Sequence, residues 1–192
     1  LGVLLAVAAA WLSSAHTAHA DDTADEADLL FQLGAEAYQR GEYREALKNF
    51  LGSNRLVPNR NVVFNIARTY EKLRQYPEAY RYFVSALDAE KDAAARARIE
   101  DAIEQIKAQV AVVDVVTDPP GATLYVDRKD LGPRGESPKK LGLAAGSYKI
   151  IADAPGYEPA ETQVTDLKAG KTVPVKLALK QLLGTLSVEG AM

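Results

Sequence analysis

Tyr43 to Phe50 reads YREALKNF, and Tyr76 to Phe83 reads YPEAYRYF. Tyr43, Glu45, Ala46 and Phe50 recur as Tyr76, Glu78, Ala79 and Phe83, each 33 positions on. Leu30 and Leu33 map at the same offset onto Val63 and Ile66. A period of about 34 residues holding two helical patterns reads as a helix–turn–helix repeat array. One such unit cannot bury its apolar face alone, so neighbours must stack, and stacking leaves a concave surface suited to a protein partner.

Outward from these octapeptides, the first helix is expected over Ala27 to Arg40, with Leu30, Leu33, Ala37 and Tyr38 inward. Gly41 stops it and permits a tight turn. Its partner is expected over Glu42 to Arg55, with Tyr43, Ala46, Leu47, Phe50 and Leu51 inward, and Pro58 ends the unit. Asn61 reads as the N-cap of a third helix, Val62 to Leu73. Tyr76 and Pro77 open a fourth, running to Ala89. A fifth, Asp92 to Gln109, carries the apolar stripe Ile99, Ala102, Ile103, Ile106 and Val110, which suits the capping of an array end.

After Val110 proline and glycine become frequent and β-branched residues cluster in short alternating runs. Val112 to Thr117, Ala122 to Asp127, Ser147 to Ala152, Glu161 to Asp166 and Thr172 to Leu179 read as strands, and Lys140 to Leu143 as a short apolar segment. Turns are expected at Asp118 to Gly121, Arg128 to Gly132, Ala144 to Gly146 and Pro155 to Tyr157. Strands this short and evenly spaced predict a small sandwich or barrel. The fold class is therefore α+β multidomain, with helical hairpins followed by a small all-β domain. The expected divisions are a leader over 1–20, a flexible acidic lead-in over 21–26, repeats over 27–91, a capping helix over 92–110, the β domain over 111–180, and the start of a second β module over 181–192. That last stretch, ending GTLSVEGAM, predicts that the native protein continues.

The chain opens on Leu1 rather than Met, so its true start is expected upstream. Leu1 to Leu12 is apolar, and Ala18-His19-Ala20 followed by Asp21-Asp22 reads as a signal-peptidase site. The apolar run is short for a span of ~20 residues. Removing 1–20 takes away His16, His19 and Trp11, and cysteine is absent throughout. The mature chain then holds no imidazole or thiol, which excludes Ser-His-Asp and Cys-His catalysis and His/Cys zinc sites. Without cysteine an exported fold is held by packing alone. A formal charge of −3 and no clustered basic face argue against nucleic acid.

Leu33-Gly34, Gly41, Tyr43, Ala46, Phe50 and Pro58, then Tyr70, Tyr76, Ala79, Phe83 and Ala86, make residues 27–91 resemble tetratricopeptide repeats. Departures are Ala37 in place of a large aromatic, Ala67 in place of glycine, and Arg74 at the turn glycine, which predicts a looser second turn. Pro119-Pro120-Gly121-Ala122, the context PPGATLYVD, then Asp130-Leu131-Gly132 and LAAGSYKIIADAPGYEP make residues 110–180 resemble the PEGA domain. The resemblance implies a β-rich exported module without chemistry of its own, in an arrangement similar to myxobacterial envelope proteins.

By resemblance the first helix of each repeat lines the groove, which places Phe31, Ala35 and Tyr38 there, with Asn61, Phe64, Asn65, Arg68 and Lys72. The partner-binding set is Tyr38, Asn61, Phe64, Asn65, Arg68 and Lys72. Asn61, Asn65 and Arg68 share a helix face, where asparagine reads a peptide backbone and arginine grips a carboxylate. A structural role for Asn65 and Arg68 between helices is the competing reading. Phe31 and Ala35 stand where a chaperone-tail clamp needs lysine and asparagine. Ser137 and Lys140 match S-x-x-K without its companion motifs. Asp127 and Asp130 lack calcium-loop spacing and suit a turn. Tyr43, Tyr70, Tyr76, Tyr80 and Tyr82 are spaced for helix packing, and Tyr125, Tyr148 and Tyr157 for a sandwich core or corner. The expectation is a non-enzymatic exported scaffold, periplasmic or at the surface of a Gram-negative bacterium, without metal or small-molecule cofactor. It would hold a protein or peptide in the groove, with the β module as spacer or cell-surface contact. The alternative is a structural protein acting by self-association and attachment to peptidoglycan or outer-membrane components.

Overall fold

The computed structural model describes the backbone of residues 14–183. Among the described residues five α-helices precede nine short strands, an α+β architecture in two parts. The chain divides into two compact units, residues 1–105 and 106–192.

In the first unit α1 (Ser14–Gln39) and α2 (Tyr43–Leu56) form one antiparallel hairpin, and α3 (Arg60–Lys72) and α4 (Tyr76–Ala89) form the next. The four helices fit a helical-repeat region. α1 begins well before Ala27, and most of the expected leader lies outside the described residues. The two hairpins share a core in which Ala37, Ala46 and Phe50 bury Val62 and Ile66. An aromatic pair repeats with the sequence: Phe31 and Phe50 rings lie 5.7 Å apart, Phe64 and Phe83 rings 5.6 Å. Gly34 lets Phe50 approach, since a Cβ there would lie 2.7 Å from its ring.

Three expectations change here. Asn59, not Asn61, caps α3, its side chain accepting the Asn61 N–H at 2.8 Å. An extended backbone at Asn59 aims the carboxamide at a free first-turn donor. Leu33 is exposed rather than inward. The second turn is as tight as the first. Gly41 has φ 77° and Arg74 φ 58°, both left-handed. Glu42 N–H donates to Ala37 C=O at 2.9 Å and Gly41 N–H to Tyr38 C=O at 3.0 Å; Gln75 to Tyr70 and Arg74 to Glu71, both at 2.9 Å, reproduce that pair. This is the Schellman closure, and the hydrogen bonds hold arginine where glycine is the ordinary choice.

α5 (Ala93–Lys107) follows a short, tightly bonded link. Asp92 caps it by accepting the Ala95 N–H at 2.8 Å. Arg96 Nη1 donates to the carbonyls of Leu87 (2.8 Å) and Glu90 (2.9 Å), and the buried Glu90 carboxylate accepts the N–H groups of Lys91 (2.8 Å) and Asp92 (3.0 Å). Ile99 and Ala102 of the expected stripe are buried.

In the second unit β1 (Ala111–Asp118) is the centre of a three-stranded sheet, antiparallel to β4 (Lys139–Leu143) and parallel to β8 (Thr172–Ala178). The other sheet is antiparallel, in the order β3 (Gly135–Glu136), β2 (Thr123–Val126), β5 (Gly146–Asp153), β7 (Ala160–Leu167). Alternation turns Val113, Val115, Leu141 and Leu177 of one sheet toward Leu124, Ile150 and Val164 of the other, in one buried cluster. This is a sandwich rather than a barrel. β6 (Tyr157–Glu158) pairs with β9 (Lys180–Gln181), so Gln181 belongs to this domain. The rest of the second β module expected over 181–192 lies, from Gly184 on, outside the described residues. Tyr148 and Tyr157 pack against the core, whereas Tyr125 alternates away from its buried neighbours Leu124 and Val126. β3 and β6 are too short to carry a period and were not legible beforehand.

Candidate functional site

The candidate groove residues stand on α1 and α3. Asn61 and Lys72 are exposed; Tyr38, Phe64, Asn65 and Arg68 are half-buried. Asn65 donates its amide N–H to the Asn61 carbonyl at 2.9 Å, and the Asn65 carbonyl in turn accepts the Thr69 hydroxyl at 2.6 Å. Among the described residues no hydrogen bond reaches Asn65 Oδ1. Arg68 Nη1 meets Glu71 Oε2 at 2.8 Å. That partner was missed, although i,i+3 spacing signals it. Phe64 turns to Phe83, and Phe31 and Ala35 pack against the hairpin core.

Tyr38 joins the two helices. Its ring meets Tyr43 edge-on at 5.3 Å. Burial pushes its phenol above the ordinary value, the Arg68 guanidinium pulls it down, and Tyr43 and Glu71 add to the rise. Tyr38, Arg68 and Glu71 are thus within electrostatic reach. Tyr70 is likewise raised by burial, and its ring stacks on Tyr82 at 5.4 Å.

A cleft of about 170 Å³ opens between the helices, lined by Ala27, Asp28 and Phe31 of α1, Ser53 and Val57 at the end of α2, and Asn59, Asn61 and Val62 at α3. It brings Phe31 and Asn61 together, while the other candidates lie outside it. Its size matches one apolar side chain, with Asp28, Asn59 and Asn61 as polar groups around the opening.

In the β unit the PPGA turn is pinned by Ser137. Gly121, at φ 87°, donates its N–H to the Ser137 carbonyl at 2.9 Å, and Ser137 N–H donates to the Ala122 carbonyl at 2.9 Å. Thr117 Oγ1 donates to the Pro119 carbonyl at 2.7 Å. Its one proton is used there, so the buried Ser137 hydroxyl donates to Thr117 Oγ1. The hydroxyl of the S-x-x-K pattern therefore fastens the turn, and Lys140 lies exposed in register with Asp114. The Asp127 carboxylate accepts the Lys149 N–H at 3.0 Å from a residue at φ 62°, and Asp130 pairs with Arg128 at 3.0 Å. Both aspartates serve the turn. Among the described residues no group of three or more His, Cys, Asp or Glu side chains converges as a metal site.

No curated protein matches the chain. No tetratricopeptide family matches the helices, which stand as a helical-repeat region. No described helix is long and apolar enough to cross a membrane. PEGA domains are typical of exported proteins, and such a domain points to an extracellular or envelope-associated protein. The PEGA domain family matches residues 110–183, and the β-sandwich of this chain is a PEGA domain.

Proposed function

We propose that this protein is a non-enzymatic scaffold exported to the periplasm or surface of a Gram-negative bacterium. Its tetratricopeptide-like hairpins hold an extended protein segment against α1 and α3. The PEGA domain serves as spacer or cell-surface contact. The observation that carries the reading is that the first helices of two stacked hairpins contribute Phe31 and Asn61 to one cleft, with Asn65 and Arg68 further along the same face of α3. The cleft takes an apolar anchor, Asn65 Oδ1 is an acceptor for a backbone N–H, and Arg68, which pairs with Glu71, offers its remaining guanidinium donors to a carboxylate.

An array of immobilised peptides, probed with the purified chain and with an Asn65→Ala/Arg68→Ala variant, tests the groove. Peptides retained by the parent and lost by at least about tenfold in the variant, with unchanged helical dichroism, support it. Equal retention by both proteins overturns it. Mass spectrometry of the chain expressed with its apolar leader checks export: the mature N-terminus is expected at Asp21.

A further inference from the structure

The internal repeat compares like positions directly. Leu29 and Leu33 of α1 correspond at 33 residues to Val62 and Ile66 of α3. Val62 is 5% exposed and Ile66 0%, because Ala37, Ala46 and Phe50 of the preceding hairpin cover them. Leu29 is 55% exposed and Leu33 42%. Among the described residues no hairpin stacks on that side of α1. Two leucines one turn apart form a ridge, and the repeat shows that its counterpart is built to be covered by helices.

Beside the ridge lies a matching hollow. Leu47, Leu51 and Gly52 of α2 form the floor of a shallow depression of about 460 Å³, rimmed by Arg44, Lys48 and Arg55. Gly52 abuts α1, since a Cβ there would lie 3.2 Å from Leu30. Ridge and hollow therefore occupy adjoining helices of one hairpin, and their charges are opposite. Exposed Asp25, Glu26 and Glu36 flank the ridge, Glu36 lying 3.8 Å from Arg40, while three cations border the hollow, Lys48 paired with Glu45 at 3.4 Å and Arg44 and Arg55 beside it.

We propose that two copies of this chain associate through this face. The Leu29–Leu33 ridge of one copy seats in the Leu47–Leu51–Gly52 hollow of the other, and the two-fold axis repeats the contact. Ridge and hollow on one surface make an isologous, closing interface. An antiparallel crossing with Leu29 over Gly52 and Leu33 over the Lys48 stem brings Asp25 and Glu26 toward Arg55, and Glu36 toward Arg44. That charge match selects a second copy as occupant. The patch is small against the ~800 Å² per partner of a standard interface, so dissociation constants on the order of 10–100 μM are expected. The inference does not depend on the groove reading, which concerns Tyr38, Asn61, Asn65 and Arg68.

Sedimentation equilibrium of the purified chain over a range of concentrations tests it. The expected result is a monomer–dimer equilibrium that Leu29→Glu/Leu33→Glu weakens by about tenfold or more. Both leucines are exposed, so the helical dichroism should persist. Should that variant fail to fold, Arg55→Glu replaces it, and Glu26→Arg added to Arg55→Glu should restore association. A chain that stays monomeric at several hundred micromolar, or a dimer indifferent to these substitutions, overturns the proposal.

Discussion

Arg74 holds a backbone conformation that an L side chain enters at a cost of about 1–2 kcal/mol. Glycine at that position costs about 0.5–1 kcal/mol of chain entropy. Arg74→Gly should therefore stabilise the helical unit by about 0.5–1 kcal/mol, read as a higher urea midpoint. Gly41→Ala should act in the opposite direction, because Gly41 has the same left-handed φ. The two hydroxyls behind the PPGA turn differ in the same physical sense. Thr117→Val leaves the Pro119 carbonyl without its donor and Ser137 without its acceptor, so about 2–3 kcal/mol should be lost. Ser137→Ala leaves the Thr117 bond to Pro119 in place and should cost about 1 kcal/mol, measured by thermal melts of the β signal. The tyrosines supply a pH dependence. Tyr38 and Tyr70 are raised in the fold by burial, so the unfolded chain ionises first as pH climbs past 10.0. Their contribution is complete below that value and declines above it. Urea midpoints at about pH 9 and about pH 11 should show the fall, and Tyr38→Phe/Tyr70→Phe should flatten it.

At the level of elements, hairpins and strands were legible where a period ran long enough to register. α2 to α5 begin and end within about two residues of expectation, because glycine, proline and aspartate mark their ends. The start of α3 shows the limit: Asn59 and Asn61 both suit a cap, and only the extended backbone at Asn59 decides between them. α5 is held by side chains a periodicity reading does not weigh. Asp92→Ala should loosen its first turn by about 1 kcal/mol. Arg96→Met should release two carbonyls at the end of α4 and reduce amide-exchange protection at residues 91–96. The groove residues were legible as one helix face, yet not as a site. Which of them meet in the cleft depends on how α1, α2 and α3 pack, so Phe31 and Asn61 are brought together and Lys72 is not.

For the whole molecule, the two units each close a core of their own. A fragment spanning 108–183 contains every described strand and the full sandwich cluster, and should fold alone with a cooperative β melt. A disordered spectrum from that fragment would contradict this. The proposed pairing of copies belongs to this scale too, since the ridge stands on α1 and the hollow on α2, and only the packing of the two helices sets them side by side. Its salt dependence follows from the charges: the dimer should weaken as ionic strength rises and exposed pairs are screened.

Composition and local pattern alone decided that this chain carries stacked helical hairpins ahead of a small β domain. Those features rest on periods of 3.6 and 2 residues and on turn residues, all of which are local. Whether YREALKNF and YPEAYRYF have the same surroundings was not local. Phe50 and Phe83 are both buried, but the leucines of α1 and their counterparts in α3 differ because, among the described residues, α3 alone has a hairpin stacked before it. Exposure is a property of neighbours in space, so the same apolar spacing yielded a core in one repeat and a candidate interface in the other.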